Sequence, residues 1–219
     1  SYVPPNSMSQ RGAGRDYIEP EMFSSVDIVS GTTDASTDGI GGRVSFKNKS
    51  PEDYLVDGKT IAGTAKAGYS SADEAWLSSV TGAVGNDEVK ALVAYAYRDG
   101  HETKPNSKTK AFPTDWSSDA VLGRVVWVLS DQHQFNLTGD FYRKSADTTD
   151  ISASLFSNYK SDATQQQDID RTQFSLEHIY KSETLALFDQ LKSKIWYQES
   201  NNETATSFMN NANTKRDFS

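Results

Sequence analysis

The sequence predicts an all-β protein with an antiparallel sheet, and three observations support this fold class. From about Lys59 onward, segments of alternating apolar and polar residues follow one another, as strands do. Short and long polar connections alternate between these segments. No run reaches the roughly 20 apolar residues that a membrane helix needs. The 36% hydrophobic content and mean hydropathy of −0.65 fit a soluble β-protein or a transmembrane β-barrel, in which only every second strand residue faces lipid.

About seven strands are expected, and the second of them is the weaker. Their approximate bounds are 61–69, 76–84, 88–98, 121–129, 135–142, 174–180 and 185–198. The clearest strand is the fifth, because two sets of side chains alternate along it without a break. In a barrel, one set would face lipid (Phe135, Leu137 and Phe141) and the other would face the lumen (Asn136, Thr138 and Asp140).

The connections between these strands differ in length in a regular order. Short links are expected at 84–88, 129–134 and 180–184, and long polar loops at 101–119, 144–171 and 199–219. Successive antiparallel strands put their connections at opposite ends of a sheet, so one end would carry tight turns and the other long loops. That asymmetry is typical of outer-membrane barrels. A soluble β-sandwich would show it only by chance.

Composition and motifs exclude several classes of function. A net charge of −8 argues against a nucleic-acid partner. The chain has no cysteine, so disulfides and thiolate metal sites are excluded. It also lacks the GxSxG, P-loop and HExxH motifs, and we therefore predict no enzyme and no catalytic residue.

A glycine-rich stretch near the start of the chain is the most specific motif. Two strand-like runs in residues 26–46 flank a gap of small and acidic residues, and the glycines of this motif are Gly31, Gly39, Gly41 and Gly42. The parts "VDIVSG", "DGIGGRVSF" and "KSPEDYL" resemble, in order, the end of the plug domain of TonB-dependent outer-membrane receptors. The later "YRDGHETKPN" resembles the haem, haemoglobin and transferrin branch of that family.

A calcium loop is the competing interpretation of the same gap. The segment "DASTDG" matches the first half of an EF-hand loop, but the twelfth position is Ser45 instead of a bidentate glutamate and the flanks are strand-like. We therefore predict no metal site there.

The resemblance implies a fold and an organisation for the chain. Residues 1–58 would be the C-terminal part of a plug domain and its linker, and 59–219 the first strands of a transmembrane antiparallel β-barrel with its external loops. The parent barrel in this family has about 22 strands around a plugged lumen. The chain would then be a fragment of a longer receptor.

The resemblance also implies a function without covalent chemistry. The parent would sit in the outer membrane of a Gram-negative bacterium, in contact with lipid. It would take up haem or iron from a haem-carrying protein, energised by the TonB complex in the periplasm. Haem would be cargo, with its ligands outside this segment. Two alternatives remain open: TonB-dependent uptake of a ferric siderophore or transferrin iron, and a soluble all-β binding or adhesin module.

Candidate ligand-binding residues lie in the expected external loops. They are His101, Trp116, Phe156 and Tyr159, chosen because aromatic and imidazole side chains suit contact with haem or a carrier protein. The other two histidines are expected to have structural positions: His133 exposed after a short turn, and His178 packed on a strand face.

Overall fold

The structure is a computed structural model that describes residues 18–30, 42–103, 112–150, 163–182, 189–209 and 215–218. It contains two antiparallel sheets, which confirms the predicted all-β class. In the smaller sheet, β1 (Phe23–Ser30) pairs with β2 (Gly42–Asn48). The larger sheet consists of β3 (Ile61–Ser70), β4 (Ala75–Gly85), β5 (Val89–His101), β6 (Thr114–Val128), β7 (His133–Asp150), β8 (Ala163–Lys181), β9 (Gln190–Met209) and β10 (Lys215–Phe218).

Each strand of the larger sheet pairs with its neighbours in sequence, as predicted from the connections. The order runs from β3 at one edge to β10 at the other, and these two edges do not meet within the described residues. At one end, which we call the short-turn end, the chain passes from β4 to β5, from β6 to β7 and from β8 to β9. At the other, the long-loop end, it passes from β3 to β4, from β5 to β6 and from β7 to β8. Within the described part of the chain, no helix has the length and apolar character needed to cross a membrane.

Two expectations about strand number and length are corrected. The sheet has eight strands, because the short β10 adds to the seven predicted. Parts of the expected loops are also strand: β6 begins at Thr114 within the loop expected at 101–119, and β7, β8 and β9, which are 18, 19 and 20 residues long, extend into those expected at 144–171 and 199–219. These extensions are mostly polar, so hydrophobic alternation does not reveal them. Their backbone pairing is continuous, from His133 opposite Tyr180 to Asp150 opposite Ala163.

The two faces of the larger sheet have different neighbours. Residues 18–22 and 50–55 pack against one face, which we call the inner face, and the opposite one is the outer face. The predicted separation of the side chains of the fifth strand onto opposite faces is confirmed: Leu137 on the outer face is 52% exposed, whereas Asn136 and Asp140 on the inner face are 5% and 4% exposed. A one-residue slip in register would exchange these sets, so burial of one face specifies the pairing.

Small residues form the inner face under the packed segment. Met22 is 2% exposed and lies in a cluster with alanine and leucine side chains of three strands, and Tyr54 and Leu55 pack against it. The sheet residues of that cluster are Ala83, Leu92, Ala94, Ala96, Ala120 and Leu122, with Tyr142 and Ile169 further along. Alanine brings the backbone of the incoming segment close to the sheet, and the two leucines fill the remaining space.

Two short 3₁₀ turns shape the segment that packs on the inner face. Pro20–Met22 precedes β1, and the backbone N–H of Glu21 donates to Glu19 Oε1 at 3.1 Å. Pro51–Asp53 follows β2, and the N–H of Ser50 donates to Asp53 Oδ2 at 2.8 Å. Proline at the first position suits a helical start because its φ is already set and no N–H is lost.

Candidate functional site

The outer face carries a continuous band of exposed apolar side chains. One row in register crosses seven strands and consists only of apolar residues, all of them exposed except the partly exposed Ala91: Ile61, Val84, Ala91, Val125, Leu137, Leu176 and Ile195. Ile61 and Ile195 are 74% and 70% exposed. Soluble monomers rarely expose contiguous apolar patches beyond a few hundred Å². This band therefore requires an apolar surrounding.

Aromatic side chains border the band at both ends. At the long-loop end, Tyr69 and Trp76 contact each other with ring centroids 5.0 Å apart. At the short-turn end, Trp127 lies 5.9 Å from Phe135, and Tyr180 lies 5.0 Å from His133. Amphipathic aromatic rings favour the boundary between hydrocarbon and water, and transmembrane barrels carry such girdles at both interfaces.

The long-loop border of the band moves along the strands in a regular way. The border lies at Tyr69 on β3 and at Tyr197 on β9. The row of paired residues that starts at Tyr69 reaches β9 at Glu203, which is six residues beyond Tyr197. The border thus shifts by one residue per strand over six strand steps. With about 3.4 Å per residue and about 4.8 Å between strands, a horizontal border requires strands tilted by about 35°. Closed barrels have strand tilts of about 35–45°.

A buried ion pair fixes the segment before β1 to the inner face. The Glu19 side chain is 4% exposed and accepts hydrogen bonds from Arg98 Nε and Nη2, both at 2.9 Å. Next to it, Lys66 Nζ lies 2.6 Å from Glu21 Oε1. Burial alone would raise the pKa of Glu21, but the hydrogen bond and charge of Lys66 outweigh it and lower the pKa. Neither ion pair was predicted from the sequence. The pattern that could have indicated them is two acidic residues around Pro20 and one arginine next to the apolar run of β5.

The predicted site residues His101 and Trp116 are neighbours at the long-loop end, but they lie on opposite faces. His101 pairs with Asp115 on the outer face, and its Nδ1 lies 2.6 Å from Asp115 Oδ1. That hydrogen bond raises the pKa of His101. Trp116 is opposite Gly100 on the inner face, and its indole N–H donates to the carbonyl of His101 at 2.9 Å. His101 is therefore held in place through both its ring and its backbone.

Gly100 makes this corner possible. A Cβ at position 100 would lie 2.7 Å from the Cβ of Ala75 and 3.0 Å from Cζ2 of Trp116, so no other residue fits without movement of its neighbours. The Lys144 ammonium lies 5.2 Å from the centroid of the Trp116 ring, within cation–π range. Together these contacts hold the corner in place, and among the described residues Nε2 of His101, on the outer face, has no hydrogen-bond partner.

Most of the other predicted site residues lie outside the described part of the chain. Phe156 and Tyr159 lie outside the described residues, as do Gly31, Gly39 and Gly41. Gly42 begins β2 and pairs with Ser30, which agrees with the expected strand after the glycine motif.

The other two histidines form a pair that the sequence did not indicate. His133 Nδ1 lies 2.9 Å from His178 Nε2 across β7 and β8, and the rings are stacked. His178 also stacks on Phe135, with centroids 4.6 Å apart, so its expected packed position is confirmed. His133 is only partly exposed, which corrects the expectation of a solvated residue. Cross-strand register brings together residues that are 45 positions apart.

The chain is similar to three groups of known proteins. A hemoglobin and hemoglobin-haptoglobin-binding protein of Haemophilus ducreyi is 30% identical over 159 residues, which are 66% of this chain and 16% of the relative. Lactoferrin-binding protein A of Neisseria meningitidis is 32% identical over 91 residues, 41% of this chain and 10% of the relative. The hemoglobin-haptoglobin utilization protein B of Neisseria meningitidis is 34% identical over 97 residues, 43% and 12%. No protein-family model matches the chain.

These similarities support the haem branch of the TonB-dependent outer-membrane receptors as the family that the chain resembles. The resemblance that the glycine motif and the "YRDGHETKPN" segment indicated is thereby confirmed. The chain spans about one sixth of the length of the Haemophilus ducreyi relative.

Proposed function

We propose that the chain is part of an outer-membrane receptor that takes up haem, or iron from a haem-carrying protein, energised by TonB in the periplasm. The observation that supports this most directly is the tilted apolar band with aromatic borders on the outer face. The named relatives, which bind haemoglobin, haptoglobin or lactoferrin, support the nature of the cargo. Such a receptor binds and transports, so we propose no catalysis.

The height of the band fits an outer membrane. On β4 it extends over nine residues from Val84 to Trp76, and on β5 over nine residues from Val89 to Tyr97. The eight steps between the first and last of these residues span about 27 Å along a strand, which becomes about 22 Å when the strand is tilted by about 35°. Outer-membrane barrels have an apolar band about 25 Å tall.

We infer a role for each part of the chain from this arrangement. Residues 1–58 would be the end of the plug and its linker, and 59–219 would be strands and loops of the barrel. The short-turn end would face the periplasm. The long-loop end would face outward, where β7, β8 and β9 extend well beyond the apolar band as a polar wall for contact with the cargo-carrying protein.

A second candidate function differs only in the cargo. Lactoferrin-binding relatives favour an iron-carrying protein as the donor, and a ferric siderophore is the other alternative. A soluble adhesin module is disfavoured because its sheet would leave the whole apolar band in water.

The proposal is tested by measuring growth and surface binding of haemoglobin in a Gram-negative host that lacks such receptors. The full-length receptor is expressed in cells that lack their own haem receptors and are starved of iron, with haemoglobin, haemin, lactoferrin or a ferric siderophore as the only iron source. We expect growth on haemoglobin that disappears when tonB is deleted, while surface binding of haemoglobin persists. Growth on the siderophore alone would replace the proposed cargo, and a receptor that migrates identically in SDS with and without heating would contradict the barrel.

A further inference from the structure

A cavity of about 360 Å³ lies between the β1–β2 hairpin and the inner face of β6, β7, β8 and β9. The hairpin contributes Phe23 and Phe46, whose rings contact each other with centroids 4.9 Å apart. The sheet contributes polar side chains, in contrast to the alanine-rich region under Met22. The cavity volume is at the lower end of the range for small-molecule sites, about 300–1,000 Å³.

Positive charge dominates the lining of this cavity. Four basic side chains contribute to it, whereas only two carboxylates do: Lys47, Arg124, Arg171 and Lys194 against Asp140 and Glu177. Both carboxylates already have partners, because Arg171 Nη2 donates to Asp140 Oδ1 and the Asn136 amide donates to Glu177 Oε2 at 2.9 Å. Among the residues that the structure describes, neither Arg124 nor Lys194 has a carboxylate partner.

Two buried N–H groups at the cavity have no acceptor. Within the described residues, three buried side-chain polar atoms lack a hydrogen-bond partner, and two of these are Arg124 Nε and Arg171 Nε. Both arginines line the cavity. Leaving a buried guanidinium N–H unpaired is unfavourable, and an anionic acceptor would remove that cost.

We propose that this cavity binds the carboxylate groups of the cargo. The inference deepens the proposed function, because it assumes that cargo passes between the plug hairpin and the barrel wall. A guanidinium recognises a carboxylate through two parallel N–H bonds, and Arg124 is available for this. Haem has two propionate carboxylates on a flat apolar ring, so Arg124 and Lys194 would bind the propionates while Phe23 and Phe46 contact the ring. A ferric chelate with carboxylate groups has the same chemistry.

Equilibrium binding of a fluorescent porphyrin to the purified full-length receptor tests the site. The probe is zinc protoporphyrin IX, compared with its dimethyl ester, which has the same ring without the negative charges. Arg124→Gln and Lys194→Gln are the test variants. Arg143→Gln is the matched control, because Arg143 lies on the outer face of β7, is 73% exposed and is paired with Asp170 at 2.7 Å.

We expect each test variant to weaken binding of the free acid about tenfold, as for the loss of one charge-assisted hydrogen bond. Arg143→Gln should bind as the unmodified receptor does, and the ester should bind weakly and equally to all four proteins. Lys194 is an exposed residue of β9, so its variant keeps the test valid if Arg124→Gln fails to fold. The proposal is overturned if the ester binds as tightly as the acid, or if both test variants bind as the control does.

Two further measurements separate this proposal from the function it assumes. Competition by ferric citrate identifies the source of the carboxylates: displacement of the porphyrin by citrate at comparable concentration favours a chelate, and its failure favours haem. Haemoglobin binding on whole cells tests the proposed function without the cavity. If haemoglobin binds normally and the test variants do not change porphyrin binding, only the proposal about the cavity is rejected. Absence of both haemoglobin binding and haem-dependent growth rejects the proposed function.

Discussion

Replacing Val93 with arginine should reveal whether the outer face lies in a membrane, because the expected cost depends on depth. Val93 is on the outer face of β5, 59% exposed, and lies four residues from Val89 at one border of the band and four from Tyr97 at the other. Four residues of a strand tilted by about 35° correspond to about 11 Å from either border. Val93→Arg should therefore destabilise the folded barrel by about 2–4 kcal/mol, the cost of a cation near the bilayer midplane.

Val89→Arg is the matched control on the same strand and face. Val89 is 42% exposed and lies at the short-turn border, next to Trp127 on β6. The same substitution there should cost about 0–1 kcal/mol, since the guanidinium reaches the headgroups. The two variants thus differ by about 2 kcal/mol or more, which is about a thirtyfold change in an equilibrium constant.

The assay is urea-dependent folding of the full-length receptor into phospholipid vesicles, scored by the migration of unheated samples in SDS. Midpoint shifts at constant slope give the change in the free energy of unfolding. Equal costs for the two variants would show that depth has no effect and would contradict the membrane assignment. A Val93→Arg variant within about 0.5 kcal/mol of the unmodified receptor would do the same, because surface substitutions in water have effects of that size.

Three further predictions concern the inner face and the long-loop corner. Arg98→Gln leaves the Glu19 carboxylate buried without its bidentate partner. The attachment of segment 18–22 to the sheet should therefore weaken by about 3–5 kcal/mol, which faster amide exchange in that segment would show. Arg143→Gln should leave the exchange unchanged. The pKa of His101 is raised in the folded state. Its hydrogen bond to Asp115 is therefore fully charge-assisted below the pKa that His101 has in the unfolded state, and this stabilisation is lost as the pH rises through the pKa of the folded state. In an NMR titration Asp115→Asn should lower that pKa, and an unchanged value would mean that the contact is absent in solution. Gly100→Ala should destabilise the barrel by about 1–3 kcal/mol through overpacking against Ala75. Gly123→Ala, where a Cβ meets nothing within 4 Å, should change stability by less than about 0.5 kcal/mol, and a larger cost than for Gly100→Ala would refute the argument.

Strand identity and face could be read from the sequence wherever one face is apolar. Period-2 alternation in 135–142 predicted both the strand and the separation of Leu137 from Asn136, because a half-buried strand needs that pattern. The same signal is absent from 144–150 and 163–171, which are polar apart from Ala146, Ala163 and Ile169. Those residues form strands because neighbouring strands supply partners for their backbone groups, and only the paired structure shows this.

The candidate site was likewise predictable from the sequence only in part. The glycine motif identified the receptor family by itself, and the sequence placed His101 and Trp116 at one end of the sheet. Their separation onto opposite faces follows from the register of β5 and β6, in which Gly100 is opposite Trp116 and His101 is opposite Asp115. A sequence without a fixed register does not specify which of two adjacent residues faces inward.

The sequence by itself determined the all-β class, the order of the strands and the alternation that makes one face apolar, because these depend on local periodicity and on neighbours in the chain. Only the tertiary structure decided which distant charges meet. Glu19 and Arg98 are 79 positions apart, and Arg124 and Lys194 are on different strands, yet both pairs of residues lie on one inner face. Such contacts depend on strand register and on the packing of the hairpin against the sheet, which no local pattern in the chain encodes.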